Sequence, residues 1–210
     1  MKNILQITLI TLFALSTAFT ATATDSKKVY NGYVVLANGD TLKGKIQMLS
    51  PTLNEVKVKF IASNGKQQVF KSKEVLAYSF VVPTNRNKVA GSQTITYVKK
   101  NVEQSPVPFG SKEVLVERQV KGQINLYNHY VETRAGQYAY NHFFLLEKDG
   151  EIVTVNRENF KKAVKNAVAD YPELKVKVGK KGYGYKYMAK IITEYNNYNT
   201  PKNGQFLGMK

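Results

Sequence analysis

Apolar and polar residues alternate with a period of two along most of residues 29–155. This spacing is typical of β-strands that bury one face. Glycine-containing dipeptides separate the alternating stretches: Asn38-Gly39, Asn64-Gly65, Lys121-Gly122 and Asp149-Gly150. Because asparagine and glycine tolerate positive φ angles, we predict a type I′ hairpin turn at the first of them. The short connections favour an antiparallel sheet of about eight to ten strands, either a meander or a small barrel-like roll.

Three features interrupt this pattern. Residues 83–92 and 101–112 carry three of the six prolines and little apolar periodicity, so we predict that both stretches are surface loops. Gly44 lies inside a predicted strand. A glycine at such a position indicates a bend, a bulge or a close approach of another backbone.

The period changes to that of an α-helix after Val155. Asn156 is a suitable N-cap, and Asp170-Tyr171-Pro172 ends the helix that follows. A second amphipathic segment covers residues 185–198. The apolar positions are Phe160, Ala163, Val164, Ala167 and Val168 in the first helix, and Tyr185, Met188, Ile191, Ile192, Tyr195 and Tyr198 in the second.

These patterns together predict an α+β fold. A mostly antiparallel β-body occupies residues 24–155, and two C-terminal amphipathic helices within residues 156–198 pack on it. Residues 199–210 are predicted to form a flexible tail. The turns fall at irregular intervals along the chain, which argues against a fixed-period repeat such as a propeller or solenoid.

The N-terminus has the features of a cleaved signal peptide at residues 1–23. Lys2 precedes an apolar run at residues 4–19, and Ala21-Thr22-Ala23 supplies the small residues that a signal peptidase recognises. The run is shorter than the roughly 20 residues that cross a bilayer. An uncleaved membrane tether is the alternative interpretation. We expect export to the periplasm or outer envelope, or secretion, and the lack of cysteine excludes disulfides.

Charge adds an expectation about partners. Without residues 1–23 the chain keeps 30 basic and 15 acidic side chains. Such an excess favours anionic partners. Export argues against intracellular nucleic acid, so the expected partners are an anionic envelope lipid, an acidic glycan or another envelope protein.

About half of the basic excess lies near the C-terminus. Residues 156–190 hold ten basic and three acidic side chains, with tyrosines interleaved. Lysine contacts phosphate or sulfate groups, and a tyrosine ring offers a plane on which a sugar can stack. The alternative interpretation is that the lysines coat the solvent face of two helices. The candidate anion-binding residues are Lys161, Lys165, Lys175, Lys177, Lys180, Lys181, Tyr183 and Tyr185.

The sequence gives little basis for catalysis. Serine-nucleophile and phosphate-cradling glycine motifs are absent, and His129 and His142 are the only histidines. A histidine could pair with a carboxylate, for which Glu117, Glu132 and Glu147 are the candidates, and the two histidines could share a metal. No ligand spacing supports either arrangement. We therefore predict no catalytic residue, metal or cofactor, and keep a hydrolase-like or metal-dependent enzyme built on His129 or His142 as the alternative.

Residues 32–46 (GYVVLANGDTLKGKI) carry two resemblances. Gly39, Leu42, Gly44 and Ile46 resemble the first hairpin of an Sm-like RNA-binding barrel. That likeness covers only this hairpin, and the later Arg-Gly motif of the Sm family is missing. We interpret it as convergence on a twisted hairpin.

The second resemblance follows several short motifs in their order along the chain. The hairpin is followed by residues 57–60, 74–78, 120–127 (VKGQINLY), 146–150 (LEKDG), 170–174 (DYPEL) and 194–198 (EYNNY). In this order the motifs resemble a family of exported proteins common in Bacteroidetes. The resemblance implies a secreted or periplasmic envelope protein. It offers no catalytic residues to carry over to this chain, because the family has no established activity.

Overall fold

A ten-stranded antiparallel sheet forms the body of the protein. The computed structural model describes residues 28–86, 89–133 and 139–199. The predicted signal peptide lies outside these residues, as does the predicted tail apart from Asn199. The strands are β1 (Val29–Leu36), β2 (Thr41–Gln47), β3 (Lys57–Ile61), β4 (Gln67–Lys71), β5 (Val75–Arg86), β6 (Val89–Asn101), β7 (Glu113–Val120), β8 (Ile124–Glu132), β9 (Tyr140–Lys148) and β10 (Glu151–Val155).

Four α-helices accompany the sheet in the described residues: α1 (Pro51–Val56), α2 (Phe160–Ala167), α3 (Pro172–Lys177) and α4 (Met188–Tyr198). Three of them follow the sheet, so the predicted α+β fold with C-terminal helices is confirmed. The periodicity does not predict α1 and α3, because a helix of six residues is too short to show a 3.6-residue repeat. Within the described residues, no helix has the length and apolar content needed to cross a membrane.

The first strand lies in the interior of the sheet. The strand order is β10-β9-β8-β7-β6-β5-β1-β2-β3-β4, so β1 sits between β5 and β2. The chain builds one meander from β1 to the edge strand β4. It then returns to the other side of β1 and builds a second meander from β5 to the opposite edge, β10. The sheet does not close on itself, so the open meander is the observed arrangement.

The turn between β1 and β2 is not the predicted type I′ turn, so that prediction is wrong. Gly39 has a φ angle of 92°, but Asn38 does not have a positive φ, and a type I′ turn needs both. The Gly39 N–H donates to the Leu36 carbonyl at 2.9 Å. The Asn38 side-chain oxygen accepts a hydrogen bond from the Asp40 N–H at 3.1 Å. Asn38 therefore stabilises the turn through its side chain.

The predicted loop at residues 83–92 is also wrong, because β5 covers residues 83–86 and β6 covers residues 89–92, while residues 87 and 88 lie outside the described residues. Pro83 lies opposite Ser92 in the β5–β6 ladder. In the described residues β1 pairs with β5 only as far as Phe80, so this end of β5 has one partner strand. Proline is tolerated there because only one side of the strand has to supply ladder donors. Residues 102–112 do connect β6 to β7 outside the strands, as predicted.

Two clusters of buried side chains lie on one face of the sheet, which we call the inner face. The first cluster spans β1 to β7 and consists of Val34, Ile46, Val58, Phe60, Val75, Tyr78, Phe80, Tyr97 and Leu115. The second joins β8, β9 and β10 to the C-terminal helices through Ile124, Leu126, Leu146, Val155, Phe160, Val164, Val168, Leu174, Val178, Met188, Ile191, Ile192 and Tyr195. The apolar faces predicted for the two helices therefore pack on the sheet, except for Tyr198, which is exposed.

Two glycines leave room on the inner face for the backbone and aromatic side chains of neighbouring strands. Gly32 and Gly44 are partners across β1 and β2. A Cβ atom at Gly44 would lie 2.5 Å from the Ile61 carbonyl oxygen and 2.6 Å from the ring of Phe60. Both distances are far below van der Waals contact. The close approach that the sequence suggested at Gly44 is therefore present.

Gly44→Ala should lower the free energy of unfolding by about 1–3 kcal/mol, because the added methyl group forces Phe60 or β3 to move. Gly184→Ala is the matched control, since nothing lies within 4 Å of a Cβ atom there and its φ is −87°. Urea denaturation of both variants measures the difference. Equal stability of the two variants would contradict the proposed close packing.

Candidate functional site

Lys148, Asp170 and Tyr195 form a hydrogen-bonded cluster that joins the helices to the sheet. Lys148 Nζ donates to the Tyr195 hydroxyl oxygen at 2.8 Å, and that hydroxyl donates to Asp170 Oδ2 at 2.7 Å. Lys148 Nζ also donates to the Ala167 carbonyl at 2.9 Å and lies 3.3 Å from Asp170 Oδ1. The members come from β9, α4 and the connection between α2 and α3, so one cluster fixes three elements. We call it the Lys148 clamp.

The Lys148 clamp favours the charged forms of both ionisable partners. The Tyr195 hydroxyl, with help from Lys148, lowers the pKa of the Asp170 carboxyl. Burial opposes the charge of Lys148, but its hydrogen bonds to Tyr195 and Asp170 outweigh burial and raise the Lys148 pKa. The two groups therefore form an ion pair bridged by a phenol at neutral pH.

Helix α4 is also attached to the first residue of β8. The Asn196 side-chain oxygen accepts from the Ile124 N–H at 2.9 Å, and its amide nitrogen donates to the Ile124 carbonyl at 2.8 Å. A Cβ atom at Gly122 would lie 2.3 Å from the Asn196 amide nitrogen, so glycine leaves room for this contact. Tyr198 stacks on Tyr171 with ring centroids 3.8 Å apart. The EYNNY segment therefore holds the helix layer in place.

Glu194 neutralises part of the predicted basic site. Lys177 Nζ donates to Glu194 Oε1 at 2.9 Å, and the Tyr183 hydroxyl donates to Glu194 Oε2 at 2.9 Å. Burial disfavours the ionised carboxyl, but these two hydrogen bonds outweigh it and lower the Glu194 pKa. Lys190 Nζ lies 4.0 Å from the centroid of the Tyr183 ring. The cluster anchors residues 178–184, the segment between α3 and the turn that precedes α4.

Other predicted lysines remain exposed around this segment. Lys180 and Lys181 are exposed in it, Lys175 is exposed on α3, and Lys161 is exposed on α2. A Cβ atom at Gly179 would lie 2.8 Å from Lys161 Cε, which places α2 directly beside the segment. We call these four lysines the C-terminal basic surface. Within the described residues none of the four forms an ion pair.

The remaining predicted residues occupy more enclosed positions. Lys165 is half-buried one turn further along α2. Tyr185 packs its ring between those of Phe144 and Phe160, and its hydroxyl donates to the His142 carbonyl at 3.2 Å. Tyr183 is also half-buried, with its hydroxyl used by Glu194. The tyrosines therefore support the fold and offer less ring surface than the sequence suggests.

His129 forms a buried pair with a carboxylate that the sequence did not single out. Its Nδ1 lies 2.7 Å from Glu55 Oε2, and its Nε2 lies 3.0 Å from the Gln104 carbonyl oxygen. Glu55 Oε1 accepts from the Tyr130 N–H at 2.9 Å. The side chain of Glu55 is 0% exposed and that of His129 is 2% exposed. The three predicted candidates, Glu117, Glu132 and Glu147, make no hydrogen bond to His129 in the described residues.

The geometry fixes how many protons this pair holds. A carbonyl can only accept, so His129 Nε2 must carry a proton that it donates to Gln104. A single further proton then lies between Nδ1 and Glu55, on one atom or the other. Burial is the largest effect on Glu55 and raises its pKa from 4.5 to about 7, although His129 and the Tyr130 N–H work in the opposite direction. The pair therefore keeps its shared proton at pH values well above those at which a glutamate ordinarily ionises.

Glu55 reaches this position because α1 enters a gap in the sheet. The pairing of β7 with β8 ends at Glu117 and Asn128, whereas β8 continues to Glu132. Helix α1 contacts both strands, and its Glu55 meets β8 at His129 and Tyr130, beyond that point. Glu55 accepts a hydrogen bond from the Tyr130 N–H of β8, which lies beyond the pairing with β7. The sequence contains no signal for this role, because a single acid in a short apolar segment has no characteristic spacing.

His142 lies on the opposite face of the sheet from His129. The β8–β9 register pairs His142 with Tyr130 and His129 with Phe143. Successive residues of a strand point to opposite faces, so the two histidines do not share a cleft. Burial, together with the charge of His129, lowers the pKa of His142, and its Nε2 lies 2.9 Å from Asn128 Oδ1. Among the described residues, no group of three or more potential ligands is placed to hold a metal.

Comparison of the chain with models of protein families, with curated protein sequences and with solved structures finds no match. The resemblance to exported Bacteroidetes proteins therefore stays a prediction. The structure adds that three of its motifs meet: Lys148 lies in LEKDG, Asp170 in DYPEL and Tyr195 in EYNNY.

Tyr195→Phe should lower the free energy of unfolding by about 1–3 kcal/mol, because it leaves Lys148 and Asp170 without their bridging hydroxyl. Tyr198→Phe is the control, since Tyr198 is exposed and contributes its ring to the stack with Tyr171. Urea denaturation of the two variants measures the difference. A loss of the same size in both would show that the hydroxyl of Tyr195 contributes nothing specific.

Glu55→Gln tests the buried proton, because glutamine can still accept from Tyr130 and can donate to His129. In the folded wild type the Glu55 pKa is about 7, so the carboxyl keeps its proton until the pH approaches that value. In the unfolded chain the pKa is 4.5, and the proton is released at a lower pH. The stability of the wild type relative to the variant should therefore be greatest below pH 4.5 and fall as the pH rises to 7. The difference in the free energy of unfolding between wild type and variant should fall by about 1.4 kcal/mol per pH unit, and by roughly 3 kcal/mol over the whole range.

Urea denaturation of wild type and Glu55→Gln across that pH range gives the measurement. A difference in stability that stays constant with pH would contradict the elevated pKa of Glu55. Glu55→Ala should be less stable than Glu55→Gln at every pH, because it leaves the Tyr130 N–H without its acceptor.

Proposed function

We propose that the protein is a non-enzymatic binding protein of the bacterial periplasm or outer envelope, and that the C-terminal basic surface binds an anionic envelope component. The observation that carries the proposal is the exposure of Lys161, Lys175, Lys180 and Lys181 with no carboxylate partner among the described residues. Unpaired ammonium groups gathered on one surface attract phosphate and sulfate groups.

Side-chain hydrogen bonds hold the segment beneath these lysines. Residues 178–184 are anchored by Glu194 through Lys177 and Tyr183, and the Lys148 clamp fixes the helices on either side. A preorganised surface loses less entropy when it binds a partner. Lys177 belongs to this support, because its charge already serves Glu194, and we do not assign it to binding.

The chemistry of the surface favours phosphate-bearing lipid head groups. A lysine ammonium is a compact charge on a flexible stem and binds phosphate without fixed geometry. The half-buried rings of Tyr183 and Tyr185 leave little flat surface on which a sugar could stack. The signal-like N-terminus and the resemblance to exported proteins support the assignment to the envelope.

The proposal is tested with a variant that carries Lys161→Gln, Lys175→Gln, Lys180→Gln and Lys181→Gln. We expect its retention on lipopolysaccharide vesicles at low salt to fall at least about tenfold, with the residual retention less sensitive to salt. Co-sedimentation with these vesicles, and with vesicles of neutral lipid, measures the effect.

The matched control carries Lys66→Gln, Lys73→Gln, Lys112→Gln and Lys121→Gln, four exposed lysines outside this surface. It has the same net charge as the test variant, so it separates local recognition from general attraction. Equal losses in both variants, or retention on neutral vesicles as strong as on anionic ones, would contradict the proposal.

A further inference from the structure

A second basic surface lies on the strands at the start of the chain. Strands β1 to β4 contain five lysines and no acidic residue. The lysines are Lys43 and Lys45 on β2, Lys57 and Lys59 on β3, and Lys71 on β4. Within the described residues none of them forms an ion pair.

The strand register places all five lysines on the outer face of the sheet. They alternate along β2 and β3 with inner-face residues such as Ile46, Val58 and Phe60, which are buried. Across strands, Lys59 lies opposite Gln47 and Lys57 lies opposite Lys71. The lysines therefore form one continuous set, which we call the lysine stripe.

The lysine stripe is long and narrow. Alternate residues of a strand are about 7 Å apart, and neighbouring strands are about 4.8 Å apart. Following the register from Lys43 through Lys45 and Lys59 to Lys57 covers six residue positions, which is about 20 Å along the strands. Lys43, Lys45 and Lys71 are exposed, and Lys57 and Lys59 are half-buried. Four charges thus follow a line, with Lys71 beside its end.

This arrangement works against stability. Lys57 and Lys71 are direct partners across β3 and β4, and like charges in such positions repel each other. No carboxylate on these strands offsets the repulsion. A bound chain of regularly spaced anionic groups would remove it.

We infer that the lysine stripe binds an acidic polysaccharide along β2 and β3. A line of charges fits a linear polyanion better than the plane of a membrane does. Tyr33 is exposed beside Lys43 in the register and provides one ring on which a sugar can stack. Binding of single-stranded nucleic acid relies on several aromatic rings, one for each of successive bases, and this face of β1 to β4 has only Tyr33.

The lysine stripe is separate from the C-terminal basic surface. The helices pack on the inner face over β8 to β10, whereas the stripe lies on the outer face of β2 to β4, at the other end of the strand order. The inference therefore goes beyond the function proposed above and does not depend on it.

The test uses the full chain and a fluorescent heparin octasaccharide, with fluorescence anisotropy at several salt concentrations. The stripe variant carries Lys43→Gln, Lys45→Gln, Lys57→Gln and Lys59→Gln. We expect its affinity to fall at least about tenfold, and the slope of log affinity against log salt to fall by roughly three. The scattered control at Lys66, Lys73, Lys112 and Lys121 should lose less than about threefold.

Loss of like-charge repulsion should leave the stripe variant at least as stable as the wild type in urea at low salt. If the quadruple variant does not fold, the pair Lys43→Gln and Lys45→Gln replaces it, with Lys66→Gln and Lys121→Gln as the control. Equal loss of affinity in stripe and scattered variants overturns the inference. Single-stranded DNA that binds as tightly as heparin, with the same dependence on the stripe, overturns the assignment to a polysaccharide.

The variant of the C-terminal basic surface separates this inference from the proposed function. It should keep heparin affinity within about threefold of wild type, while the stripe variant keeps its retention on lipopolysaccharide vesicles. Loss of heparin binding only in the C-terminal variant would overturn the inference that the lysine stripe binds a polysaccharide. It would leave the proposed function intact.

Discussion

The Lys148 clamp is the interaction on which the arrangement of this protein depends. Apolar contact alone would hold α2 and α4 against the sheet, but it is not directional, so helices could slide across β8 to β10. Tyr195, buried between Lys148 and Asp170, gives the layer one position. The location of residues 178–184, and with it the C-terminal basic surface, follows from that position.

A second polar contact holds the sheet together where its own ladder stops. Beyond Asn128 the strands β7 and β8 separate, and α1 fills the gap with Glu55 in contact with His129 and Tyr130. A buried carboxylate is costly unless it is fully hydrogen-bonded. Here every nitrogen and oxygen of the pair has a partner, so the contact ties β8 to α1 and to residues 102–112. The buried Glu55–His129 pair on β8 and the partly exposed Lys148 clamp on β9 thus each fasten a helix to the sheet.

The sequence predicts the features that depend on local pattern. Alternation and glycine turns predict the sheet, and helical spacing predicts α2 and α4. Features that depend on distant partners cannot be predicted from the local sequence. Nothing near Pro83 shows that β6 will pair with this end of β5. Nothing near Lys177 or Tyr183 shows that Glu194 will bind both. The lysines of the C-terminal basic surface are predictable because an exposed charge needs no partner.

The lysine stripe is a different case, because its signal was present in the chain. Lysines on alternate positions of β2 and β3 share a face by parity alone, and only the pairing of β2 with β3 had to be known to join them.

The interior position of β1 has a consequence for the order of events during synthesis. The meander from β1 to β4 can form as soon as it is made, but the other side of β1 stays open until β5 arrives. A strand that lies in the interior of the finished sheet therefore begins as an unprotected edge.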